Sequence, residues 1–424
     1  MKNIVASVGL VALGASGFQT AQAQGLLGPD ASKPWSVALS LRGFFDDNVN
    51  TAPSNPVTLP NGDLSEQTET FGYEISPSFK LGWSFTPQTS LLLGYTYTMK
   101  YYESRPQEDS DKVDQTHQFT AALDHRFSER FSANLSDSFV IGQEPDLLRA
   151  TDTLNSFERI DGDNIRNYGK IGVMGQMTST FGASVSYESA YYNYDSDEWS
   201  RTLDRLEHSI PIEGIFQLQP QTRLITGYRF RLIDYNSGLE LAPGIDSDVR
   251  NAMSHTGYIG LDHTLSQSLT ASVRAGAQYS DYYNDDEADS EVSPYVKASL
   301  RYAYAEESFL EGGVTYDRSA TDLVGFNGTT FTTDAQTLVV YGSMTHRITS
   351  KIYGSLLAQF QSSDYSGGDF DNTKENFFLA GLNLEYRFNQ NLSANAGYNF
   401  DRLDSDAGRS FSRNRVYVGV TARY

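Results

Sequence analysis

Eight short polar breaks punctuate the 424-residue chain, each flanked by long runs in which apolar and polar residues alternate. They open as FTPQTSL at 85, FSERFSA at 127, MTSTFGA at 177 and LQPQTRL at 218. LSQSLTA at 265, YAEESFL at 304, ITSKIYG at 348 and FNQNLSA at 388 follow, so the spacing is 39 to 50 residues. Their Ser, Thr, Asn and Pro are residues of tight hairpin turns. Between successive breaks lies one longer polar connection, such as RPQEDSDKVD, YDSDEW or YNDDEADSE, and DSDAGR follows the last break. Each unit therefore reads long strand, long loop, long strand, short turn. A propeller blade of this length would hold four short strands. The runs here continue for about 11–15 residues without a break.

Parity decides the solvent. In the last run Val416, Val418, Val420, Ala422 and Tyr424 alternate with Tyr417, Gly419, Thr421 and Arg423. After Gln267, Leu269, Ala271, Val273, Ala275, Ala277 and Tyr279 alternate with Thr270, Ser272, Arg274, Gly276 and Gln278. Period two puts one set on each face of a sheet. A soluble sandwich would alternate as well. However, many of the 27 Tyr and 24 Phe gather toward the ends of the runs, as in the aromatic girdles of a membrane barrel, and short turns alternate strictly with long acidic loops. Lipid tolerates no unpaired sheet edge, so such strands must close on themselves. The spacing predicts an all-β fold, a transmembrane antiparallel up-and-down β-barrel of 18 strands. Both termini fall on the short-turn side.

The N-terminus reads as an export signal: Lys2, the apolar run IVASVGLVALGASGF, then AQAQ. This predicts a signal peptide over 1–23, a short periplasmic segment over 24–34 and the barrel over 35–424. Mean hydropathy is −0.44 and no later window is apolar enough for a transmembrane helix. The chain holds no cysteine, and its net charge of −21 argues against nucleic acid as a partner. The expected location is the bacterial outer membrane, with its lipids as the surroundings. The final strand, ending on Tyr424, is the expected contact for the barrel-assembly machinery, and a homo-oligomer stays open.

The stretches LRGFFDDNVNT (41–51) and SDSFVIGQEPDLL (136–148), with the repeat layout and the terminal VYVGVTARY, resemble the β-barrel porin type 2 family. The resemblance implies an outer-membrane barrel with no catalytic residues to carry over. Through some relatives it also points to a setting of exopolysaccharide secretion.

No nucleophile elbow, Gly-rich phosphate loop or HExxH motif is present, so neither catalysis nor a cofactor is expected. His125, His263 and His346 precede tight turns on the apolar parity, with Tyr386 in the same slot; a girdle explains them better than a metal site. Acidic clusters such as DGDN match no EF-hand. On the polar parity cations outnumber anions although the chain is acidic, which predicts a mildly basic lumen. The pore-lining candidates are Lys100, Arg126, Arg223, Arg229, Arg231, Arg274, Lys297, Arg301 and Arg387. Against conduction stands pairing of these charges across neighbouring strands.

The third long loop, 145–163, carries Leu147, Leu148, Leu154, Phe157 and Ile160, which need cover that water does not supply. Folding inward would set Arg149, Asp152, Glu158 and Arg159 across the pore as a constriction; packing over the mouth is the alternative. Asp137 breaks the apolar parity of its strand, so a bulge or an oligomer contact is expected there. The function expected is a passive channel for small hydrophilic solutes. The alternatives are a portal for exopolysaccharide and a structural or adhesive surface barrel.

Overall fold

The computed structural model of the chain describes residues 34–56, 66–105, 112–142, 163–236, 238–285, 287–288 and 290–424. The signal peptide expected over 1–23 and the expected constriction residues Arg149, Asp152, Glu158 and Arg159 lie outside the described residues. The first half of the barrel is β1 (Trp35–Asp46), β2 (Thr70–Thr86), β3 (Thr89–Tyr102), β4 (Val113–Arg126), β5 (Phe131–Gly142), β6 (Asn164–Gln176), β7 (Phe181–Tyr194), β8 (Arg205–Gln219) and β9 (Thr222–Tyr235). A small hairpin, β10 (Glu240–Ala242) and β11 (Ile245–Asp246), stands apart in a long loop. The second half is β12 (Ala252–Ser266), β13 (Leu269–Asp281), β14 (Glu291–Ala305), β15 (Ser308–Ser319), β16 (Asp334–Arg347), β17 (Ile352–Ser366), β18 (Lys374–Arg387), β19 (Leu392–Ser405) and β20 (Phe411–Arg423).

These eighteen long strands pair antiparallel in chain order, and β20 returns to β1 from Ala38↔Arg423 to Asp46↔Arg415. The sheet is a closed barrel with no free edge, as the alternation and the lipid argument require. At the closing joint the backbones of Val37 and Tyr424 exchange two hydrogen bonds, 3.0 and 2.9 Å, and the Trp35 and Tyr424 rings lie 5.7 Å apart. Higher up, the buried guanidinium of Arg413 on β20 donates from Nε to both carboxylate oxygens of Asp46 on β1, at 3.0 Å each.

The recurring Ser, Thr and Asn of the short turns have a common task. Ser128 Oγ accepts from the N–H groups of Arg130 and Phe131, both at 3.2 Å. Thr178 Oγ1 accepts from Thr180 and Phe181, and Thr349 Oγ1 from Lys351 and Ile352. Asn389 Oδ1 accepts from Asn391 and Leu392 at 2.8 and 2.9 Å. One side-chain oxygen satisfies the two N–H groups that a reversing backbone leaves without a strand partner. That requirement makes the turns recognisable in the sequence.

Alternation then sorts the wall. Val416, Val418 and Val420 stand exposed on the outer face, as do Ile171, Ile259 and Leu300. The opposite parity carries Gln359, Gln361, Ser363, Ser393 and Thr256, all buried inside the barrel. Polar residues fill the interior and apolar ones face outward, the inverse of a water-soluble fold.

Candidate channel and the hairpin across its mouth

Interior charges are mostly matched. Arg223 and Arg274 share Asp262, at 3.3 and 2.7 Å, and Arg301 meets Glu311 at 3.4 Å. Arg387 meets Glu385 at 3.3 Å, and Lys170 meets Glu188 at 2.6 Å. Lys100 stands on the inward face of β3, in register between Glu74 and Asp114. Among the described residues Lys80, Arg126, Lys297 and Lys351 make no ion pair. Arg126 and Lys351 sit at the short-turn end and Lys297 lies on β14; all three are exposed. Cross-strand pairing therefore takes up most of the cations foreseen as pore-lining, and the unmatched ones include Arg126 and Lys297.

The long-loop end is different. Pairing of β14 with β15 stops at Val296↔Tyr316, whereas β13–β14 continues to Ser280↔Glu291 and β15–β16 to Ser319↔Ala335. Pro294 lies in the released stretch of β14, where a missing N–H breaks no ladder. Arg229 Nη2 on β9 reaches Asp317 on β15 at 2.8 Å. Four strand spacings separate β9 from β15, about 19 Å along the wall, more than these two side chains span. The upper end of β15 has therefore left the wall and lies inside the barrel.

Arg318 confirms the displacement. Its parity is that of the outward Leu310 and Tyr316, yet it is 8% exposed and pairs with Glu291 on the inner face of β14. It also donates to Asp334 at 2.6 Å. The backbone carbonyl of Arg318, without a strand partner, accepts from Arg231 Nη1 at 3.1 Å. The outer face of the β15–β16 hairpin thus packs against the inner face of the neighbouring wall.

Residues 320–333, the tip of this hairpin, cross to the other side. Arg250 is 1% exposed and donates to the carbonyls of Thr202 (2.9 Å) and Thr321 (2.7 Å). Arg409 grips the next residue: Nη1 and Nη2 donate to the two oxygens of Asp322 at 2.9 Å each, and Nε donates to Glu375 at 2.7 Å. Burial pulls the Arg409 guanidinium down, but Asp322 and Glu375 outweigh it and hold it well above its ordinary value. Beneath the clamp Leu323, Ala335 and Tyr365 form a small apolar core with Phe370 and Ala407. Gly368, at φ +62, lets the backbone of the 367–373 loop approach the tip so closely that a Cβ would stand 2.1 Å from the Gly325 carbonyl oxygen.

All six histidines stand on the outer face, apart from one another. Their Nδ1 atoms lie near hydroxyls, on the adjoining strand for His125 (Thr89), His117 (Tyr95), His208 (Tyr187), His263 (Thr222) and His255 (Tyr228), and two strands away for His346 (Tyr304). The separations run from 2.6 to 3.0 Å. Hydroxyl-to-imidazole pairing satisfies a polar atom at the lipid boundary without a metal.

Of the two features expected at Asp137, a bulge and an oligomer contact, the structure excludes the bulge. Register through β4, β5 and β6 is continuous there, Ala121↔Asp137↔Gly169, so no bulge exists. The carboxylate keeps the outward parity of Leu135 and accepts from Asn167 Nδ2 at 3.0 and 3.2 Å. A second outward polar group, not a break in the strand, offsets its position.

Arg250, Arg318, Arg409 and Arg413 were not identified as candidates. They sit in loops or at strand ends, where parity does not say what a side chain meets. A usable signal did exist: TDLVGFNGTTF, 321–331, is as apolar for a loop as 145–163.

Among solved structures the chain is similar to OpdK of Pseudomonas aeruginosa, crystallised with vanillate, at 12% identity and a TM-score of 0.46, covering 92% of this chain and 99% of that one. It is similar to OccAB3 of Acinetobacter baumannii at 10% identity and a TM-score of 0.43, with 92% and 99% covered. It is also similar to the FrpB iron transporter of Neisseria meningitidis at 10% identity and a TM-score of 0.41, with 92% and 81% covered. No curated protein matches. Residues 334–424, the five strands β16 to β20, match the family described as Putative beta-barrel porin 2, the family that the sequence motifs resemble.

Proposed function

We propose that this barrel is a bacterial outer-membrane channel for passive diffusion of small hydrophilic solutes, narrowed at its extracellular mouth by the β15–β16 hairpin. One observation carries the reading: a polar-lined closed barrel whose mouth is crossed by residues 320–333, where β15 has parted from β14 and side chains of distant loops hold the tip. The wall stays whole whether or not the tip is docked, because β15 and β16 remain paired below Tyr316. The unmatched Arg126, Lys297 and Lys351 leave the lumen mildly basic, which favours anionic solutes on entry.

Planar-bilayer recording tests this. Purified full chain should give discrete conductance steps with a reversal potential on the anion-selective side. Proteoliposomes should swell in small sugars but not in a dextran. Silence in both, for the native chain and for a chain with 322–331 replaced by a short Gly-Ser linker, would leave a structural barrel as the reading.

A further inference from the structure

We infer that the cavity between β9, β12, β13 and the tucked hairpin is a binding site for one halide ion. Tyr235, Arg250, Ser254, Ser280, Arg318 and Asp334 line it. The cavity volume is about 20 Å³. That admits one water-sized occupant.

Charge and hydrogen bonding choose the occupant. Asp334 has both oxygens engaged, one by Arg318 and one by the Tyr282 hydroxyl. Arg318 meets Asp334 and Glu291. Arg250 has no carboxylate partner among the described residues: its terminal nitrogens donate to two backbone carbonyls, and its plane lies 4.4 Å from the centre of the Tyr235 ring. A guanidinium buried this fully is costly without a counter-charge.

Three donors on residues that line the cavity are also unused. Nε of Arg250, Nε of Arg318 and the Tyr235 hydroxyl are buried with no partner, and each parent residue is more than nine-tenths buried. The Ser280 hydroxyl oxygen already accepts from Gln278, which leaves its proton to give. A water filling this space accepts at most two hydrogen bonds, fewer than the donors present, and brings no charge to set against Arg250. An acceptor without protons, carrying one negative charge, fits both requirements. Bound there, it would neutralise Arg250 and join the 236–251 loop, the wall and the hairpin, so halide should favour the docked tip.

Two measurements on the full chain decide it. In crystals grown in sodium bromide, an anomalous peak is expected within hydrogen-bonding distance of Arg250 Nε and the Tyr235 hydroxyl. In detergent, the heat-unfolding midpoint should rise with chloride or bromide but not with gluconate at equal ionic strength. Tyr235→Phe keeps the ring under Arg250 and removes one donor, so it should weaken the halide dependence about tenfold. A cavity without anomalous density, filled by water alone, would overturn the site. So would equal midpoints in chloride and gluconate, or an unchanged dependence in Tyr235→Phe. The crystal result stands on the native chain even if the variant folds poorly.

Discussion

Asp137 and Arg409 show two ways in which a charge is kept away from bulk water. Asp137 faces outward about halfway up β5, and its hydrogen bonds come from Asn167 on the next strand. A carboxylate on the lipid face is unfavourable, less so than a lysine at the same depth. Asp137→Leu should therefore stabilise the barrel by about 1 kcal/mol, read from urea unfolding in liposomes. Loss of stability, or a change of oligomeric state, would instead mean that another polypeptide covers this face. Arg409 is the converse, because its two carboxylate partners, Asp322 and Glu375, are nearly inaccessible. Arg409→Gln leaves both anions buried without a cation, a loss of about 3 kcal/mol. The loss should fall on the docking of the tip: amide exchange at 321–326 should quicken while exchange in β17 to β20 stays slow.

At the scale of the element, the short turns and the β15–β16 hairpin obey different rules. A turn such as 128–130 is closed by its own side chain, so its identity is local and recurs in the sequence. The upper end of the hairpin is held by Arg229, Arg231, Arg250 and Arg409, drawn from β9 and two other loops. Replacing 322–331 by a short Gly-Ser linker removes the tip and leaves the paired wall below Tyr316. Single-channel conductance should increase and the midpoint of heat-modifiable gel migration should change little. The third loop remains a second candidate, and deleting 149–160 provides the parallel measurement. Conductance that rises with one deletion and not with the other assigns the constriction.

For the whole molecule, the closed sheet fixes which residues share the lumen. Replacing Arg126, Lys297 and Lys351 together by Gln should move the reversal potential toward cations, since each lacks an ion-pair partner and none holds the wall. Arg387→Gln should also cost stability, because Glu385 lies buried between Arg387 and Arg423. A protease site in 284–290 should be cut on intact cells and one at Ser128–Arg130 should not. The reverse would overturn the assignment of long loops to the outside.

The strand number, the turns and the two faces of the wall were legible because lipid and the short turn each impose a rule on adjacent residues. Apolar must alternate with polar, and in the turns at 128, 178, 349 and 389 a Ser, Thr or Asn caps the reversing backbone. Closure followed, since an unpaired edge has no place in hydrocarbon. The displacement of β15 was not legible. Arg318 keeps the parity of a lipid-facing residue, and nothing beside it in the chain says that Glu291, Asp334 and Arg231 will surround it. Those partners lie 16 to 87 residues away. Parity is a property of neighbours along the strand, whereas the buried guanidinium networks depend on which distant loops meet once the barrel has closed. The sequence by itself determined the barrel and its sidedness of polarity; the tertiary structure alone decided what crosses its mouth.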